Sequence, residues 1–135
     1  MFKKIIHFQW VIAVASVLFF ASNASAQVTP PSILSAKFDA QGKLIVKSSF
    51  DAIEGCYLAI NGGLKKNSVT TGITSIQLSS NQAEIGKTTM KTLRRYYCKQ
   101  RTLYVNVELT CINDLIGSAT SKAVAVEVPS SNIKR

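Results

Sequence analysis

The longest regular pattern in the chain is a strict alternation, in which Leu103, Val105, Val107, Leu109 and Cys111 are apolar and Tyr104, Asn106, Glu108 and Thr110 stand between them. A period of two sends alternate side chains to opposite sides of a pleated strand, so this run predicts a strand with one face on a core. Shorter runs of the same kind precede and follow it. Residues 34–38 lead into a Gln41-Gly42 turn, after which Leu44, Val46, Ser48 and Phe50 alternate with Ile45, Lys47 and Ser49. Cys56, Leu58 and Ile60 alternate with Tyr57 and Ala59 and run into Asn61-Gly62-Gly63, a sequence that takes positive φ readily and predicts a tight hairpin turn. Thr74, Ile76 and Leu78 form a further strand, and Val124, Val126 and Val128 form the last one after a turn over residues 113–117. Six or seven short strands spaced by turn signals predict an all-β fold, a two-sheet antiparallel sandwich.

One stretch departs from the alternation. Between residues 79 and 101 it stops, and Asn81 followed by Glu84 reads as a capping box that opens a helix. At about 100° per residue, Lys87, Lys91, Arg94 and Arg95 share one arc, and Ile85, Met90, Leu93, Tyr96 and Tyr97 cluster opposite. The spacing predicts a short amphipathic helix with a basic face, lying as the connection between the fifth and sixth strands. Gly86 and the threonines of this stretch lower helix propensity, and an irregular loop is the alternative.

The N-terminus carries a different signal. Lys3 and Lys4 precede an apolar stretch over residues 10–21 that ends in Ala24-Ser25-Ala26, the three parts of a secretory signal peptide. His7 and Gln9 interrupt any upstream extension toward the length of a spanning helix. Residues 1–26 are therefore read as a signal peptide cleaved after Ala26, residues 27–129 as the sandwich domain, and residues 130–135 as a C-terminal tail. No Cys stands at the cleavage point for lipid attachment, and no Asn-x-Ser/Thr acceptor follows it. The lysine start and short apolar core mark a bacterial envelope protein, periplasmic or secreted.

Removing the signal changes the chemistry of what remains. His7 and Trp10, the sole histidine and tryptophan, leave with it, and fourteen basic residues face seven acidic ones, a formal charge of +7. Zinc sites draw on Cys and His, and three scattered cysteines without a histidine do not make one. A Ser or Cys nucleophile needs a base beside it, and only a lysine is left to serve, in no recognisable spacing. Residues 81–88 end in the Gly-Lys-Thr of a phosphate-binding loop, but Asn81 occupies the place of its first glycine. Asp51 and Glu54, the closest acidic pair, sit in a turn beside Gly55. The chain is expected to be no enzyme and to need no cofactor or metal.

Pro30-Pro31 before the first strand, the segment 56–63 in the third-strand position and the segment 102–129 as a final hairpin carry a resemblance over roughly residues 30–129. In strand order and spacing the chain resembles an immunoglobulin-like sandwich of the fibronectin type III kind. The resemblance implies a binding or spacer role and no shared catalytic site. In the inferred sandwich the third and sixth strands are antiparallel neighbours, which brings Cys56 beside Cys111 on the inward face. The expected disulfide is Cys56–Cys111 with Cys98 a free thiol, and unpaired buried thiols are the alternative.

Charge is concentrated in one place only. Lys87, Lys91, Arg94, Arg95, Lys99 and Arg101 occur with no acidic residue between Glu84 and Glu108. A solvated helix face accounts for such a run, and so does a face that meets an anionic polymer, a membrane surface or an acidic protein. The chain has no recognisable nucleic-acid motif, so no specific nucleic acid is expected. The functional expectation is an exported binding module acting through this basic face, and the alternative is a structural or assembly subunit of an envelope or secreted complex.

Overall fold

The structure, a computed structural model, describes residues 27–51, 54–112 and 116–135. The segment read as a signal peptide lies outside the described residues. In chain order the elements are β1 (Ser32–Phe38), β2 (Leu44–Ser49), β3 (Cys56–Gly63), β4 (Thr71–Gln77), a short helix α1 (Ser80–Ile85), β5 (Lys87–Lys91), β6 (Thr102–Ile112), β7 (Ile116–Thr120) and β8 (Val124–Glu127). All pairings between these strands are antiparallel. They form two sheets, β1-β2-β5 and β4-β3-β6-β7, with β8 also paired to β6.

The alternation read from the sequence maps directly onto burial. Leu103, Val105, Val107, Leu109 and Cys111 of β6 are buried, as are Leu44, Val46 and Ser48 of β2 and Cys56, Leu58 and Ile60 of β3. These inner faces, with Met90, Val126 and Val128, make one core between the sheets. Each fully buried aliphatic side chain contributes roughly 1.5–3 kcal/mol of transfer free energy, so the inward face of β6, with four of them, is a large part of the stability. The hydroxyl of Ser48 lies in this core without a hydrogen-bond partner among the described residues.

The β1–β2 turn sits where Gln41-Gly42 predicts it. Asp39 holds it through its carboxylate, which accepts from the backbone N–H of Gln41 at 2.9 Å and of Lys43 at 2.8 Å. Gly42 takes φ 78°, a conformation that L side chains rarely adopt.

Three local expectations are corrected. Asn61-Gly62-Gly63 is not a turn but the end of β3, and the chain reverses beyond it, where Ser68 N–H donates to the Lys65 carbonyl. The tertiary neighbours explain this. The Asn61 side chain donates to Asn106 Oδ1 at 3.1 Å across the sheet, and the bare Gly62 makes room for the Ile73 side chain. The second correction is the helix. It spans only Ser80–Ile85, lies between the fourth and fifth strands, and is opened by Ser79 and Gln82, not by Asn81 and Glu84; the Ser79 N–H donates to Gln82 Oε1 at 3.0 Å. Gly86 ends it at φ 64° in the left-handed region, and the β-branched Thr88 and Thr89 continue as a strand against β2. The third is the count: β5 and β7 are additional strands, and β7 begins within the segment read as the 113–117 turn, of which residues 113–115 lie outside the described residues.

The C-terminal tail is docked. Ser130–Asn132 form a 3-10 turn, and Asn132 is fully buried. Its side-chain amide donates to the Gly42 carbonyl at 2.8 Å and to the Tyr96 carbonyl, and its backbone carbonyl accepts from the Cys98 N–H at 2.9 Å. One side chain therefore ties the β1–β2 turn, the β5–β6 connection and the chain end together at one pole of the sandwich.

Candidate functional site

The six basic residues singled out in the sequence do not share a helix face. Lys87 and Lys91 stand on β5, with Thr88 and Met90 turned inward between them, so both lysines project from the outer face of the three-stranded sheet. Arg94, Arg95 and Lys99 lie in the connection that follows, and Arg101 immediately precedes β6; all four are exposed. The predicted opposition of a basic arc to an apolar arc fails at Leu93, which is 91 % exposed, and holds at Met90, which is 1 % exposed.

What the fold does bring together is a different set. In the register of the sheet, Lys47 is opposite Ser35 on β1 and Thr89 on β5, while Ile45 is opposite Lys37 on one side and Lys91 on the other. Lys37, Lys47, Lys87 and Lys91 are all exposed and all fall on the outward face. Lys47 is the diagonal neighbour of the other three, at about 7–8 Å between Cα atoms, and Lys37 and Lys91 flank Ile45 two strand spacings apart, about 9–10 Å. Ser35, Ser49 and Thr89 fill the positions between them. None of the four lysines has an ion pair among the described residues. Lys37 and Lys47 escaped the sequence reading because they lie far along the chain from Lys87, and only the pairing of β1, β2 and β5 makes them neighbours; the alternation of residues 44–50, which sends Lys47 outward, was the available signal.

Beyond Lys91 the basic surface continues to the pole, and there it is partly committed to structure. Arg95 Nε donates to Asn132 Oδ1 at 3.4 Å, and its guanidinium stands 5.7 Å from the centroid of the Tyr97 ring. Among the described residues Arg94 makes no such side-chain contact, and its backbone carbonyl accepts from Thr92 Oγ1 at 2.7 Å. Tyr96 packs against Phe38, and its hydroxyl is held above its ordinary pKa first by burial and then by the neighbouring Cys98. It remains a neutral phenol throughout the physiological range. Open clefts flank the lysine face: one between β1 and β8 has Lys37 on one bank and Glu127 on the other, and another runs beside Thr92 to Tyr96 along Gly72, Ile73 and Thr74 of β4.

The cysteines are arranged as expected. Cys56 and Cys111 are directly opposed on β3 and β6, with Cα atoms 4.2 Å apart, and form a disulfide inside the core. Cys98 is a buried free thiol. The Gly-Lys-Thr at residues 86–88 opens a strand, whereas a phosphate-binding loop presents those residues at the start of a helix. No helix among the described residues is long and apolar enough to cross a membrane. No protein-family model matches the chain, and no curated protein or solved structure matches it.

Proposed function

We propose that the chain is an exported binding module that holds an anionic envelope component, or an acidic surface of a partner protein, against the outer face of the β1-β2-β5 sheet. The observation that carries this reading is the register that gathers Lys37, Lys47, Lys87 and Lys91 on one exposed face. Like charges on neighbouring strand positions repel one another, a cost that a bound polyanion removes. Lysine ammoniums are compact point charges on flexible stems, suited to a surface or polymer whose anionic groups vary in position. The role is binding without catalysis or a cofactor, and it belongs in an oxidising compartment, periplasmic or extracellular, where the Cys56–Cys111 bridge would persist.

The strand order supports the immunoglobulin-like, fibronectin type III-like part of the reading. In that architecture the first, second and fifth main strands share one sheet, and the third, sixth and seventh share the other. The order β1-β2-β5 against β4-β3-β6-β7 follows the same division except at the fourth strand, which constant-type domains place with the first, second and fifth and which here pairs with β3. The structural-subunit alternative draws on one feature, the edge strand β4, which carries no charged residue to discourage pairing with another chain.

The test is to replace Lys47, Lys87 and Lys91 with glutamine, verify the fold by circular dichroism and thermal melting, and compare retention on immobilised heparin at low and physiological salt. The expected result is retention that salt weakens in the parent, and a loss on the order of tenfold or more in affinity for the variant. Equal retention of parent and variant, or none for either at low salt, overturns the basic-face reading in favour of the structural subunit.

A further inference from the structure

The lysine face is a pleated surface, not a pocket, and small-molecule sites are concave. Point charges spread over three strands therefore fit an extended anionic plane. A second feature lies beside them. Thr92 continues the β2–β5 ladder, with its N–H donating to the Leu44 carbonyl at 3.1 Å and its side chain buried. Leu93 follows directly beyond the end of β5, on the cleft beside Gly72, Ile73 and Thr74 of β4; it is 91 % exposed and is the most exposed of the large apolar side chains among the described residues. Leu93 is flanked in sequence by Lys91, Arg94 and Arg95, and Tyr97, 46 % exposed, lies under the Arg95 guanidinium.

An exposed leucine within a cationic rim, with an amphipathic tyrosine beside it, is costly in water and favourable at a lipid headgroup layer. There the leucine leaves water, the tyrosine keeps its hydroxyl wet, and each basic residue gains from the negative surface potential. A soluble polyanion would satisfy the lysines and arginines but would leave Leu93 in water.

We infer that the partner of the basic face is an anionic lipid bilayer, docked through Lys37, Lys47, Lys87 and Lys91, with Leu93 inserted as an apolar anchor. This rests on the basic-face reading above and commits it to one occupant.

The experiment measures co-sedimentation of the purified protein, its N-terminus defined by intact mass, with phosphatidylcholine vesicles and with phosphatidylcholine–phosphatidylglycerol vesicles. Binding to the neutral vesicles reports any contribution of residues 1–26 and is the baseline for each variant. The parent is expected to bind the anionic vesicles above that baseline, in a salt-sensitive manner. Leu93→Ser should weaken this binding about tenfold, the effect of partly burying one leucine, while heparin retention is unchanged. Leu93→Trp should show a fluorescence blue shift with the anionic vesicles that soluble heparin does not produce. Heparin retention without vesicle binding overturns the bilayer as partner and leaves the basic-face reading standing, and failure on both supports overturns the two together. If Leu93→Ser binds the anionic vesicles as the parent does, and Leu93→Trp shows no shift, the anchoring role is wrong.

Discussion

Asn132 shows how much a single buried amide decides in this molecule. With no exposed surface, it donates to the carbonyls of Gly42 and Tyr96 and accepts from Arg95 Nε. A β-carbon on Gly42 would fall within 2.6 Å of the Asn132 amide oxygen and closer still to Arg95, so glycine is required there by space as well as by its positive φ. Replacing Asn132 with alanine leaves the Tyr96 carbonyl without its donor, a loss worth about 1–3 kcal/mol, while the Gly42 carbonyl keeps the Tyr96 N–H at 3.0 Å. Asn132→Ala is expected to lower the stability by about 1–3 kcal/mol in urea denaturation, with the denaturant slope unchanged. A loss within experimental error of zero would mean that the pole is held by the backbone alone. Nothing in the sequence marks this residue, because a buried asparagine in a C-terminal tail looks like any polar tail residue until its partners from remote turns are in place.

Among the elements, β6 was the most legible and β5 the least. The alternation of β6 is long and uninterrupted, and its neighbour β3 alternates in the same sense, so the opposition of Cys56 and Cys111 followed once the two strands were placed side by side. The bridge spans 55 positions, and its removal by paired Cys56→Ala and Cys111→Ala is expected to cost roughly 2–4 kcal/mol. In the native protein, mapping without reduction should find Cys56 linked to Cys111, and Cys98 should react with a thiol reagent only after unfolding; Cys98 in a mixed disulfide would reject the arrangement. β5 misled because Lys87–Lys91 is short and follows a genuine helix start. Gly86 in the left-handed region stops that helix after six residues, and the tertiary pairing with β2 then decides for a strand. The consequence reaches function, since a strand puts Lys87 and Lys91 beside Lys47, where a helix would have put them beside Arg94.

For the whole molecule, the described core begins almost at the end of the segment read as a signal peptide. Val28 is 8 % exposed and belongs to the core cluster, so cleavage after Ala26 would leave the packed domain intact. Protein recovered from the periplasm or medium should therefore begin at Gln27, which intact-mass measurement checks; residues 1–26 retained in a membrane fraction would overturn the signal reading. A disulfide inside the core fits folding outside the reducing cytoplasm.

The class of the fold, the inward faces of the longest strands and the Gln41-Gly42 turn were legible in the chain alone, and Cys56–Cys111 was the expected pairing once the third and sixth strands were taken as neighbours, with unpaired thiols as the alternative. All of these rest on local periodicity or on side chains that a single strand pairing brings together. The sequence could not determine the basic face as it exists. Lys37 and Lys47 join Lys87 and Lys91 only through two strand registers, and a register is chosen by which side chains the assembled core accepts, not by any one segment. The same reason governs Asn61-Gly62, where turn propensity yielded to a cross-sheet asparagine pair, and Leu93, an apolar residue that the fold leaves 91 % exposed just beyond the end of β5.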